Sequence, residues 1–163
     1  MKINVAIVSV SDRSSKGERA DLSRPAIEKR LFDIASLSVY ECIPDEKSII
    51  ERTLIDICDN KKAQLVLTTG GTGLAPRDVT PEATLNISDR LVPGLSEEMR
   101  RQSMEFTNKA MLSRAVSVIR NNVLIINLPG SPKAVVECLE IIKPVLHHAA
   151  ELLQGEVSDC ARE

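Results

Sequence analysis

Residues 64–84 read QLVLTTGGTGLAPRDVTPEAT, and three signals follow one another in that stretch. Gln64–Thr68 is a short apolar, β-branched run of the kind that makes a buried strand. Thr69–Arg77 holds three glycines and a proline, which predicts a tight loop. Thr80-Pro81 reads as an N-cap followed by proline at the first helical position, so a helix is predicted over Glu82–Ile87. Strand, glycine-rich corner, helix is the unit from which parallel sheets are built.

The same grammar recurs on both sides. Ile3–Val10 predicts a buried strand and Ser11–Arg24 a polar loop. Pro25 suits a first helical turn, and Ile27, Leu31 and Ile34 keep helical spacing through a helix over Ala26–Leu37. Val39–Ile43 follows as a strand. Pro44-Asp45 opens a helix running to Cys58, with Ile49, Ile50, Leu54 and Ile57 on one stripe. Further on, Pro93-Gly94 is a turn and Leu95–Phe106 a helix. Ala115–Arg120 and Val123–Leu128 form a hairpin across Asn121-Asn122. Ser131-Pro132 starts a last helix that reaches about Leu153, with a kink expected at Pro144. The prediction is an α/β protein with a mostly parallel, mixed sheet and helices on both faces, as one domain over residues 1–163.

Composition narrows the function. The chain has 163 residues, 43% hydrophobic and 27% charged, with no Trp, one Tyr and two Phe. An aliphatic core is implied, and aromatic stacking surfaces for single-stranded nucleic acid are not. A net charge of −2 without a basic run argues against duplex binding. Cys42, Cys58, Cys138 and Cys160 form no C-x-x-C pair, and the two histidines, His147 and His148, are adjacent on a helix, so zinc spacing is absent. The apolar stretches are too short for a bilayer, and no secretory signal opens the chain. Free thiols in the cytoplasm are the expectation.

In open α/β sheets ligands bind beyond the carboxyl ends of the strands. Three corners there carry the chemistry: Ser9–Arg13, Thr68–Asp78 and Asn127–Ser131. Gly70, Gly71, Thr72 and Gly73 can cradle phosphate oxygens with successive amides, although a plain tight turn would need the same glycines. The loop fits neither the P-loop pattern nor the dinucleotide fingerprint. Asp78 reads either as a turn aspartate or as a carboxylate holding a divalent cation against phosphate. Asp45 reads as an N-cap, a role compatible with a metal contact because a carboxylate has several acceptor sites. Ser9 and Asp12 either solvate a loop or line a nucleotide site. Pro129-Gly130 is sufficient as a turn, yet its corner could contact an anion. Ser113-Arg114 suits a phosphate ester. His147 and His148 read as packing or surface residues.

Together these residues resemble the molybdenum-cofactor biosynthesis family that includes MogA, MoaB and the N-terminal domain of gephyrin. The markers are Ser9–Arg13, Pro44-Asp45-Glu46, the Thr68–Gly73 loop, Arg77–Thr84, Pro93-Gly94 with Glu97 and Arg100, Leu112-Ser113-Arg114 and Asn127–Ser131, seven in order along nearly the whole chain. The resemblance implies a three-layer α/β/α fold, a homotrimer, and transfer of AMP from ATP to the terminal phosphate of molybdopterin with Mg2+. Its product would be the substrate of a molybdate-insertion enzyme, a potential partner. By similarity Asp45 and Asp78 match the two functional aspartates. Gly70, Gly71, Thr72 and Gly73 match the nucleotide-phosphate loop, and Ser113, with Arg114, matches the pterin-phosphate contact. Ser9, Asp12, Glu97, Pro129 and Gly130 match positions lining the site. A molybdopterin-binding or scaffold protein of the same fold without chemistry is the alternative. Arg24 stands where many members have Gly, and the C-terminal region is shorter than in some.

Overall fold

Strand β1, Ile3–Val10, is buried at every position except Asn4, and its side chains divide between two cores. Ile3, Val5 and Ile7 enter one; Ala6, Val8 and Val10 enter the other. Successive strand residues point to opposite faces, so a strand apolar on both must be covered on both. Two more strands of the computed structural model, which describes residues 1–155, behave alike. They are β3, Leu65–Thr69, and β6, Val123–Leu128, buried throughout. The first core is closed by α2 (Ser23–Leu31), α5 (Pro93–Ser103) and α6 (Pro132–Gln154), the second by α3 (Lys47–Asp59) and α4 (Thr80–Asn86). The expected three-layer α/β/α architecture results.

With β2 (Ala35–Ile43), β4 (Arg90–Leu91) and β5 (Ser117–Arg120), the sheet order is β2-β1-β3-β6-β5-β4. β2, β1, β3 and β6 are parallel; β5 runs antiparallel to β6 and to β4. From β1 the chain crosses outward to β2, then returns to β3 on β1's other side. That reversal opens a crevice at the carboxyl ends of β1 and β3, where a ligand can enter between diverging connections.

Several boundaries differ from the sequence expectation, each for a local reason. The helix predicted over Ala26–Leu37 ends at Leu31, and the strand predicted from Val39 begins at Ala35. Residues 35–37 pair in register with Ile3, Asn4 and Val5; the register then skips Ser38, whose hydroxyl donates to the Val5 carbonyl at 3.2 Å. β2 is an edge strand with exposed residues, so no apolar run announced its start. The Ser11–Arg24 loop contains one helical turn, α1 (Asp12–Ser15), capped by Ser11. Asp45 is not an N-cap: α3 starts at Lys47 behind Glu46, and the Asp45 side chain turns elsewhere. Thr80 is the first residue of α4 rather than its cap, because the first helical bond runs from the Ala83 amide to the Val79 carbonyl and makes Val79 the cap. β4 is two residues long and leaves no pattern to read. α5 is followed by a 3-10 turn at Asn108–Leu112.

Other expectations hold. Asn121 and Asn122 take φ of 47° and 63°, closing the β5–β6 hairpin. Ser131 caps α6 by accepting from the Ala134 amide, and the helix continues through Pro144 to a left-handed Gly155. Cys42, Cys58 and Cys138 are free thiols, whereas Cys160 lies outside the described residues. No described helix is long and apolar enough to cross a membrane. Arg24 sits within α2, paired with Glu28 at 2.9 Å and stacked 4.2 Å from the Tyr40 ring centre, so an arginine is accommodated there.

Candidate functional site

Two hollows flank the glycine loop. One, of about 490 Å³, is lined by Ser9, Asp21, Asp45, Gly70, Gly71, Asp78 and Gly130 among others. The other, about 280 Å³, takes Thr72, Gly73, Ser96, Arg100, Ser113 and Pro129 into its wall. Two loops form the ridge between the hollows, with Gly70, Gly71 and Gly130 lining the first and Thr72, Gly73 and Pro129 the second. A Cβ on Gly130 would lie 3.4 Å from the Gly70 Cα, so the loops after β3 and β6 touch there.

The loop is short of side chains because its neighbours leave no room. Gly71 has φ +66°, and a Cβ would lie 2.3 Å from Thr80 Oγ1 and 3.2 Å from Asp45 Oδ1. A Cβ on Gly73 would lie 2.8 Å from Asp78 Oδ2. Among the described residues, the amides of Gly71, Thr72 and Gly73 donate to no protein acceptor. Clustered free amides form an anion cradle, and the amino end of the long helix α6 opens beside it at Gly130, Ser131 and Pro132. Gly71→Ala should therefore destabilise the protein by about 1–3 kcal/mol through backbone strain and displace the loop; urea unfolding and loss of phosphate-ligand affinity would show both effects.

The two aspartates singled out by the sequence share the larger hollow. Asp45 Oδ2 accepts from the Asp12 amide at 2.9 Å, and Asp78 Oδ2 from the Ala75 amide at 3.1 Å. The other oxygen of each has no hydrogen-bond partner among the described residues. Asp78 thus closes a turn and faces the hollow at once. Burial pushes the Asp45 carboxyl above its ordinary range, and the charges of Asp12 and Asp78 push the same way, against the hydrogen bond from the Asp12 amide. A carboxyl whose folded pKa is raised costs stability at neutral pH; the cost shrinks as pH falls through the folded pKa and is gone only below the unfolded value. Asp45→Asn should hence melt higher than the parent at pH 7, with the difference vanishing under acidic conditions in calorimetry.

Other predicted residues fall as follows. Ser9 is buried and donates to Asp21, which also accepts from the Tyr40 hydroxyl at 2.8 Å and the Ser23 amide at 3.0 Å. Burial alone would push the Asp21 carboxyl up; these hydrogen bonds outweigh it and hold the pKa below the usual range. Asp12 lines neither hollow; it pairs with Arg77. Thr72 and Pro129 face the smaller hollow, Gly130 the larger, and Ser113 the smaller. Arg114 departs from its expected role at a substrate phosphate. Its guanidinium donates to the carbonyls of Gly73 at 2.8 Å and Asp78 at 2.6 Å and pairs with Glu82, bracing the loop from behind. Glu97 is exposed on α5 and lines neither hollow. His147 meets the Met1 carbonyl at 2.9 Å and lines neither hollow.

Three residues at the site carry roles the sequence did not assign, although Arg100 and Asn127 stand among the family markers. Asp21 gave no signal beyond a polar loop. Arg100, held by the Ala115 carbonyl at 2.7 Å, sets a cation beside Ser113. Asn127 is fully buried: its amide nitrogen donates to Thr68 Oγ1 at 2.9 Å and Thr84 Oγ1 at 3.0 Å, while its oxygen accepts from the Val116 amide at 3.2 Å. That network locks β3, β6 and α4 together beneath the ridge. The corner motif Asn127–Ser131 was visible; that its asparagine faces inward was not.

Free amides, a helix start and two carboxylates thus gather at the strand-end crevice of an α/β fold, with a hollow on each side of one loop. Residues 6–148 match the family model described as "Probable molybdopterin binding domain", and the chain belongs to that family. It is 44% identical to a molybdopterin adenylyltransferase of Helicobacter pylori strain J99, covering 94% of this chain and 89% of that protein. It is also 44% identical to the molybdopterin adenylyltransferase of Escherichia coli K12, covering 99% and 90%. The crystal structure of the molybdopterin biosynthesis enzyme MoaB from Thermus thermophilus superposes with a TM-score of 0.89 at 47% identity, covering 94% of this chain and 97% of that one.

Proposed function

We propose that this protein is a molybdopterin adenylyltransferase, joining the terminal phosphate of molybdopterin to the α-phosphorus of ATP with loss of pyrophosphate. The observation that carries the reading is the pair of hollows divided by a ridge of two loops. A two-substrate nucleotidyl transfer needs both ligands held with their reacting phosphates meeting, and the partner-free amides of Gly71, Thr72 and Gly73 belong to the loop that lines both hollows. The larger hollow, with Gly70, Gly71, Gly130 and the start of α6, suits the nucleotide phosphates. The smaller, with Ser113 and Arg100, suits molybdopterin and its phosphate.

The attacking phosphate is already anionic near neutral pH, so no strong base is required. Catalysis rests on alignment and on preorganised charge. The loop amides orient the α-phosphate, Ser113 and Arg100 orient the pterin phosphate, and Arg114 holds the loop rigid through two carbonyls. The residues also fit a hard divalent cation such as Mg2+, which prefers oxygen ligands and keeps substrate phosphates in its shell. Asp45 and Asp78 each keep one oxygen without a partner among the described residues, and the buried Thr80 hydroxyl has none either. When bound, the ion would neutralise charge on the departing pyrophosphate.

Product analysis tests the activity. Protein, ATP, Mg2+ and molybdopterin should give adenylyl-molybdopterin and pyrophosphate in equal amounts. Molybdopterin binding without pyrophosphate would instead favour a carrier or scaffold role. A homotrimer, a cytoplasmic location and hand-over of product to a molybdate-insertion enzyme belong to the same proposal, resting on family resemblance; light scattering would check the first.

A further inference from the structure

We propose that Asp12 is a positioning residue that sets the place of Asp45 and, through Arg77, ties the Asp45 corner to the Asp78 loop; the inference rests on the adenylyltransferase reading above. Its origin is strand register. Val10 pairs with Ile43 at the ends of β1 and β2, and the Ser11 amide continues the ladder to the Ile43 carbonyl. Two residues further on, Asp12 and Asp45 stand opposite each other. There they exchange hydrogen bonds: the Asp12 amide donates to Asp45 Oδ2 at 2.9 Å, and the Asp45 amide donates to Asp12 Oδ1 at 3.1 Å.

Asp12 is not free to meet a ligand itself. Arg77 Nε donates to its Oδ2 at 2.6 Å and Arg77 Nη2 to its Oδ1 at 3.0 Å, a two-pronged pair. Arg77 directly precedes Asp78. Residues Leu74 to Arg77 are all exposed, so this stretch has little packing to fix it. The Asp12–Arg77 pair tethers it to the end of the sheet. With Arg77 exposed and Asp12 only half-buried, the pair contributes little to stability. Its value is geometric, since misplacing a reacting group by about 1 Å can cost about a hundredfold in rate.

Two substitutions separate the parts. Asp12→Ala removes both the acceptor for the Asp45 amide and the anchor for Arg77. Asp12→Asn keeps an oxygen for the Asp45 amide but weakens the Arg77 pair. Asp12→Ala should lower kcat by about tenfold to a hundredfold, leave KM for molybdopterin within about twofold, and barely move Tm. Asp12→Asn should recover part of that loss. Arg77→Ala combined with Asp12→Asn should cost much less than the product of the two single effects. Independently of turnover, Mn2+ affinity in the presence of α,β-methylene-ATP, read by electron paramagnetic resonance, should fall about tenfold in Asp12→Ala. A crystal structure of Asp12→Ala should show Asp45 displaced. An unmoved Asp45 with parental Mn2+ affinity overturns the inference, as does a rise in KM for ATP at unchanged kcat, which would make Asp12 a direct nucleotide contact. A displaced Asp45 in a protein whose parent makes no adenylylated product would leave the positioning role standing and sink the activity alone.

Discussion

Asp78→Asn is expected to slow adenylyl transfer by at least about a hundredfold at saturating substrates, the size of effect seen when one charge-stabilising group is lost. The substitution is informative because it separates charge from shape. The asparagine oxygen can still accept from the Ala75 amide, the bond that closes the turn at 3.1 Å. The Asp78 main-chain carbonyl still receives Arg114. Loop geometry and molybdopterin affinity should therefore survive, and the melting temperature should stay close to the parent's. Pyrophosphate release at the parental rate would show that Asp78 is a turn residue and nothing more. A collapse of both rate and melting temperature would also contradict the assignment, since it would place the whole effect in folding.

The largest stability effect is expected at Asn127→Leu. The side chains are similar in size, so packing changes little. Three hydrogen bonds of a fully buried side chain vanish: those to Thr68 and Thr84 and the one from the half-buried Val116 amide. Thr84 keeps its bond to the Thr80 carbonyl, so two groups, the Thr68 hydroxyl and the Val116 amide, are stranded at about 1–3 kcal/mol each, giving a loss of roughly 2 kcal/mol or more. For a chain of this size that lowers the melting temperature by roughly 4–8 °C or more. Scanning calorimetry would measure it. A variant melting with the parent would mean that Thr68 and Thr84 find other partners and that the network does not hold the strand ends.

Much of the fold was legible because its signals are local. An apolar run of five or six residues followed by glycine or proline and a capping residue marks β3 and β6 with their corners, and the hairpin asparagines take the left-handed conformation that their side chains tolerate. What escaped depends on partners distant in sequence. The first residues of β2 are strand only because Ile3 to Val5 lie beside them. Asp45 has the sequence context of a cap, yet its carboxylate goes to an amide thirty-three residues earlier. The same division holds for the candidate site. Glycine loop and aspartates could be singled out from residue type and spacing. That Arg114 would be occupied by the loop's own carbonyls, or that Glu97 would face outward, depended on how α4 and α5 dock.

The ridge where Gly70 meets Gly130 has a consequence for affinity. A molecule formed by linking the occupants of the two hollows inherits contacts from each while losing rigid-body freedom only once, so it should be held more tightly than either precursor. Dissociation of such a molecule requires both halves to let go together. Departure of the finished molecule would then be slower than that of either precursor, and a downstream acceptor able to draw out one half first would hasten it.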